Sequence, residues 1–322
     1  MKINLISSVR WSGLARDIQI LESLLKAHDV EYRYVNSSPD RKVDLNIFVE
    51  RVSFPWFEYG RCNVLIPNPE WYFEQYWRFL RLFDLILCKT RHATSIYQGT
   101  AGEVVYIGWT SEDRYAPGLK NNSEWLHIAG SSLHKGTGLV VRTWKVNARF
   151  PRLTIVQSPK IDMGSAEAEN VNWVRRFLPD DELKRLQNMC GVHVCPSETE
   201  GFGHYINEGL SVGSVVITTE APPMNELVPG STGVLARYVA MAPQRMAMRY
   251  FCSEETLAEA VNTVLAISPE ELERRQQNAR HVFFARDILF HQRFTEVIAK
   301  IEQEVGRRPA KSEVVGQNCP ES

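Results

Sequence analysis

The sequence predicts an α/β protein made of two consecutive Rossmann-like, doubly wound domains facing a central cleft. Three observations carry that prediction. Short β-rich runs alternate with longer helical patterns from the first residue, a turn-rich stretch at 109–123 interrupts the rhythm, and the alternation then resumes. A chain of 322 residues also has the length for two domains of ordinary size.

In order along the chain, Met1-Lys2-Ile3-Asn4-Leu5-Ile6 reads as an opening strand without the long apolar core or cleavage site of a signal peptide. A Ser-rich loop runs to Gly13, after which Leu14, Ile18, Leu21 and Leu25 recur with helical period. Further strands are expected at Leu45–Val49, Asn63–Ile66, Leu85–Cys88 and Val104–Ile107. Pro117-Gly118 and Asn121-Asn122-Ser123 form a turn cluster, so the boundary falls there, between domains at 1–118 and 119–285. Strands are expected again at Trp125–Ala129, Leu153–Val156, Val192–Cys195 and Val215–Thr218. Leu257, Val261 and Val264 mark a late helix, and Phe290, Phe294, Val297 and Ile301 mark a last one, expected over 286–303. The polar remainder, 304–322, has too little apolar content to fold alone and is expected to be disordered.

Composition narrows the function classes. A hydrophobic fraction of 44% with 23% charged residues is that of a soluble globular protein. The net charge of -1 provides no strong field for nucleic acid or an anionic membrane. No apolar run is long enough to span a bilayer, so a cytoplasmic protein is expected, with any membrane contact transient and peripheral. The six cysteines show no zinc or CxxC spacing and are expected to be buried reduced thiols, without a metal site.

The chemistry concentrates in Cys195-Pro196-Ser197-Glu198-Thr199-Glu200-Gly201-Phe202-Gly203-His204-Tyr205-Ile206-Asn207-Glu208, between a strand and a helix expected to start near Gly203. Gly201 and Gly203 allow a tight turn and close approach to a ligand, and the amides at the helix start form an anion site suited to a diphosphate. Glu200 precedes the glycines, and Glu208 is expected two helical turns in, on the same edge of a pocket. Carboxylates repel phosphate but accept hydrogen bonds from sugar and ribose hydroxyls.

Ser197-x-x-Glu200-Gly201-Phe202-Gly203-x4-Glu208 resembles the Glu-x7-Glu signature of retaining GT-B glycosyltransferases, family 4, the glycosyl transferases group 1 family. The resemblance implies that Glu200 contacts the donor sugar, Glu208 the ribose, and the amides of Gly201, Phe202 and Gly203 the diphosphate of a nucleotide sugar. Ile128-Ala129-Gly130-Ser131-Ser132-Leu133-His134-Lys135-Gly136 looks like the first strand and loop of the family's donor domain, which implies a diphosphate contact for Lys135. Glu200 and Lys135 then carry the catalysis, with Ser131, His134 and Gly13 as further donor contacts. Phe177-Leu178-Pro179-Asp180 resembles the loop near the nucleobase pocket, which brings in Leu178. The likeness runs over Trp125–Lys300. It implies retention of configuration, no metal or cofactor beyond the donor, and a last helix that crosses back onto the first domain.

Two positions depart from the family pattern. Ser131 stands where an Arg is usual, which turns attention to Arg10, Arg16 and His134 as replacement cations. Pro67-Asn68-Pro69-Glu70 stands where a His is usual, making Asn68 a candidate contact. The acceptor is open: glycan, lipid, small molecule, protein or DNA.

Plainer readings stand beside these. Two glutamates eight apart commonly form one solvated helix face, but here a strand precedes them and glycines lie between. Glu226 is either a pocket carboxylate or an acid at a helix N-terminus. His134 is a donor contact or a solvated loop residue, and Lys89 faces the cleft or solvent. The aromatic run Trp71, Tyr72, Phe73, Tyr76, Trp77, Phe79 and Phe83 reads first as a helix packed on the sheet, and otherwise as an acceptor or membrane platform. Rival functions are a GT-B epimerase or phosphorylase, and a nucleotide-sugar-binding protein without turnover.

Overall fold

The computed structural model describes residues 1–7, 13–35, 39–50, 52–100, 102–118, 120–160 and 168–307. Arg10 and the tail from 308 onward lie outside them.

The first half contains β1 (Lys2–Ile6), α1 (Gly13–Ala27), β2 (Glu31–Val35), β3 (Val43–Val49), β4 (Gly60–Ile66), β5 (Leu85–Cys88), α2 (Arg91–Tyr97) and β6 (Glu103–Tyr106). Its strands pair in parallel in the order β2-β1-β3-β4-β5-β6. β3, β4 and β5 are almost wholly buried, as strands covered on both faces must be.

The second half repeats the plan with β7 (Asn121–Gly130), α3 (Thr137–Val146), β8 (Arg152–Gln157), β9 (Val171–Val174), α4 (Asp180–Met189), β10 (Cys190–Cys195), α5 (His204–Ser211), β11 (Val215–Thr219), α6 (Met224–Leu227) and β12 (Gly233–Ala236). Its parallel order is β12-β11-β10-β7-β8-β9. An antiparallel hairpin, β13 (Tyr238–Gln244) with β14 (Ala247–Cys252), precedes α7 (Glu254–Leu265) and α8 (Pro269–Arg307). The chain is thus two parallel-sheet Rossmann-like domains.

Strand order reverses between β1 and β3 in one sheet and between β7 and β10 in the other. At such a point the loops leaving the strand ends diverge to opposite faces and open a crevice. The loops after β3, β7 and β10, with the start of α1, line the site below, joined by the loops after β4 and β5.

Several expectations are corrected. Strands β2 and β9 escaped the sequence reading because edge strands are only partly buried and show weak patterning. Asn121–Ser123 is the exposed start of β7 rather than a turn, since β10 supplies its backbone partners. The last helix begins at Pro269, not near 286. Pro at its first position and acids in its first turn suit a helix start, but its opening turns bury only Ala279 and Phe283, so the apolar period begins late. It continues to Arg307, so helix covers the first residues of the expected tail. The aromatic run forms 3-10 turns over Pro69–Trp71 and Glu74–Leu82. Tyr72, Leu80 and Phe83 are buried there, while Trp71, Phe73 and Trp77 stay exposed.

The largest apolar core joins the halves. Leu14, Ile18 and Leu21 of α1 pack in one cluster with Tyr205, Ile206 and Leu210 of α5 and with Phe290, Phe294 and Ile301 of α8. Hydrogen bonds from Arg286 of α8 to Glu226 O and Leu227 O, and from Lys300 to Glu103, fix that helix against both.

Candidate donor site between the two sheets

A cavity of about 820 Å³ opens between the two sets of strand ends. Of the residues singled out in the sequence, Gly13, Arg16, Asn68, Ser131, His134, Lys135, Glu200, Gly201, Phe202, Gly203 and Glu208 line it.

The wall from the second half is a strand, a glycine loop and a helix. Gly203 has φ +99°, a left-handed conformation that admits glycine at little cost, and it turns the chain into α5. At Gly201 a Cβ would stand 2.4 Å from Asn68 Oδ1 and 2.8 Å from Glu70 Oε1. The opposite wall therefore touches this backbone, and a side chain here would hold the two apart. Glu208 lies one turn into α5, not two, because the helix starts only at His204. It is buried, accepts from Gln187 Nε2 at 2.8 Å and stands 3.3 Å from Arg16 Nε.

Lys135 pairs with Glu200 in this structure. Its ammonium is 2.5 Å from Glu200 Oε1 and 3.8 Å from the centre of the Tyr205 ring. Ser197 Oγ donates to the same oxygen of Glu200 at 2.5 Å and also bonds the Tyr205 hydroxyl. His134 Nδ1 lies 3.4 Å from Glu198, whose carboxylate also takes Arg249 Nε at 2.9 Å. Burial pushes Glu198 up, but His134 and Arg249 outweigh it and hold its carboxyl below the usual range.

Loops from the first half make the facing wall. Lys89 is buried, ion-paired to Asp17, and donates to Asn68 Oδ1 at 2.9 Å. Asn68 Nδ2 donates to Glu50 at 3.0 Å. Asp17 also meets His204 Nε2 at 3.0 Å, and His204 Nδ1 meets Ser111 Oγ at 2.9 Å. Burial drives Asp17 up, yet Lys89 and His204 together hold it below its ordinary value. Two walls from different halves are thereby joined through one carboxylate.

Two candidates fall outside the cavity. Leu178 is buried against Leu126, Val156 and Cys190, a packing role that follows from its apolar side chain. The Glu226 carboxylate accepts from the backbone amides of Arg91 at 2.8 Å and His92 at 2.7 Å. It satisfies the start of α2 in the other half, where orphan amides favour an anion. Asp17, Glu50, Glu70 and Tyr205 line the cavity without having been singled out. Only Glu70 had a signal in reach, its position beside Asn68. Among the described residues no three His, Cys, Asp or Glu side chains gather as a metal site.

Known proteins resemble this chain in part and in whole. Residues 165–282 match the family model "Glycosyl transferases group 1", a narrower stretch than the 125–300 expected from motifs. Alpha-maltose-1-phosphate synthase of Mycolicibacterium smegmatis is 28% identical over 117 residues, 36% of this chain and 28% of that protein. The chain therefore aligns with well under a third of that relative. Sucrose-phosphate synthase of Thermosynechococcus elongatus superposes with a TM-score of 0.70 at 15% identity, covering 94% of this chain and 100% of that one. Anabaena HepE, in complex with UDP and glucose, gives 0.67 at 15% identity over 93% and 99%. A glycosyltransferase from Rickettsia africae gives 0.67 at 14% over 94% and 98%. The chain thus carries a segment of the glycosyl transferases group 1 type within a GT-B-like fold of two Rossmann-like domains.

Proposed function

We propose that the chain transfers a sugar from a nucleoside-diphosphate sugar to a hydroxyl-bearing acceptor, with residues 1–118 forming the acceptor side. One observation carries the reading: Glu200, the Gly201–Gly203 loop and Glu208 line a single cavity with Lys135. The amides of the loop and the start of α5 suit a diphosphate, and Lys135 supplies positive charge beside it as the leaving group departs. Glu208 suits ribose hydroxyls, which can replace its long contact with Arg16. Glu200, fixed by Ser197 and Lys135, suits the transferred sugar. The binding of UDP by Anabaena HepE makes uridine nucleotides the first donors to try. Retention of configuration, independence from metal and membership of family 4 belong to the same proposal, on the motif resemblance. The described cysteines are free thiols, which fits a reducing cytoplasm.

The test is thermal stabilisation by a panel of nucleoside diphosphates and their sugars. A ligand at about a hundred times its Kd adds about 2.7 kcal/mol to the folded state. One nucleotide should shift the wild type and not Glu208→Ala, and no shift with any would sink the reading. Nucleoside diphosphate released only in the presence of an acceptor separates a transferase from a binding protein or an epimerase.

A further inference from the structure

The first-half wall contains a carboxyl group that the donor chemistry leaves unused. Glu70 follows β4 on the Pro67–Glu70 loop, is 6% exposed and lines the cavity. Its Oε2 has no hydrogen-bond partner among the described residues, an expensive condition for a buried polar atom that a ligand would relieve. Its Oε1 abuts Gly201, the residue next to Glu200. The loop is held from the other half as well. Gln244 Nε2 donates to Glu70 O at 3.1 Å, Arg245 to Trp71 O at 2.8 Å, and the Met246 amide to Pro69 O at 3.3 Å. Glu70 is thus positioned jointly by both domains, at the point where they touch.

We propose that Glu70 is a substrate-binding residue, whose carboxyl group bonds a sugar hydroxyl held between it and Glu200. The proposal rests on the nucleotide-sugar reading of the cavity. A hydroxyl both donates and accepts, and so does a neutral carboxylic acid. Glu70 is kept in that neutral form. Burial raises its pKa most, its own backbone amide opposes, Glu200 raises it, Lys89 lowers it and Glu50 raises it, and the balance brings it to about 8. Tyr97 of α2 and the Lys89–Asp17 pair complete the ionisable surroundings. The hydroxyl could then receive a hydrogen bond from Glu70 while donating to Glu200, which is anchored by Lys135. It belongs either to the transferred sugar or to a sugar acceptor, and the chemistry is shared.

The experiment measures affinities for UDP and UDP-glucose, and UDP release with glucose as acceptor, on wild type, Glu70→Ala and Glu70→Gln. Each is followed between about pH 6 and about pH 9. UDP affinity should be the same in all three proteins. If the contact is to the donor sugar, the advantage of UDP-glucose over UDP falls about tenfold or more in Glu70→Ala. If it is to the acceptor, that advantage persists and the KM for glucose rises by a similar factor. Glu70→Gln, neutral and able to donate and accept, should recover most of either loss. The wild-type effect should fade as pH rises through about 8, and the Gln variant should not follow it. Stability supplies an independent readout. The folded state keeps a proton that the unfolded chain releases, so wild-type stability falls relative to Glu70→Gln between about pH 4.5 and about pH 8. Unchanged donor advantage and unchanged KM in Glu70→Ala would overturn the proposal. UDP failing to bind the wild type would instead remove the reading beneath it, before any variant is compared.

Discussion

The two walls of the cavity are built in different ways. The second-half wall is local in sequence: Ser197, Glu200, Gly201, Gly203 and Glu208 come from one strand–loop–helix passage, supplemented by Lys135 from the neighbouring switch-point loop. The first-half wall is scattered. Asp17, Glu50, Asn68, Glu70 and Lys89 come from α1 and the loops after β3, β4 and β5. Both walls carry a lysine–carboxylate pair, but in different surroundings. Side-chain exposure is 19% for Lys135 and 11% for Glu200, against 1% for Lys89 and 3% for Asp17. The more open pair can exchange partners when a ligand arrives, whereas the closed one ties α1, β5 and, through His204, the two halves together. One wall is a short motif local in sequence, and the other is a scaffold assembled from loops far apart in the chain.

That contrast is broken most forcefully at Lys89. Lys89→Met leaves Asp17 buried without its ammonium, and removing one partner of a buried pair costs about 3–5 kcal/mol. Urea unfolding should show that loss, while Lys135→Met should unfold at nearly the wild-type midpoint and lose turnover instead. Equal stability losses in the two variants would erase the distinction. The contact between walls comes next. Gly201→Ala places a methyl group on Asn68 and Glu70, so about 1–3 kcal/mol of overpacking should separate the domains. The expected result is a more extended particle in small-angle scattering with weakened turnover, and an unchanged radius would count against closure through this contact. The smallest effect is expected at Glu226. Glu226→Ala removes the acceptor for two amides of α2 and should cost about 0.5–2 kcal/mol. Its nucleotide affinity should equal that of the wild type, and a weaker one would return Glu226 to the site.

Legibility followed the same division. The glycine loop could be read because every part of it lies within a dozen residues, and glycine spacing, a preceding strand and the two glutamates each constrain the others. Lys135 could be read because its loop leaves β7, the strand beside β10. Leu178 and Glu226 stand outside the cavity for a common reason: sequence gives a residue's element but not the direction its side chain faces. Leu178 turns into the core against the second sheet, and Glu226 turns across the domain gap to α2. Glu70 was quoted with its loop, yet nothing in Pro67-Asn68-Pro69-Glu70 says that the acid is buried against Gly201.

By itself the sequence determined the alternation of strands and helices, the two-domain plan, and the identity of the passage that turns from β10 into α5. Those are consequences of hydrophobic period, glycine conformation and short-range order, all of which act between near neighbours in the chain. The tertiary structure alone decided which carboxylate each cation meets, which acid is kept neutral, and which loops of the first half reach the glycine turn. Those depend on strand order in two sheets and on desolvation where the sheets approach, and both arise only when residues far apart in sequence are brought together.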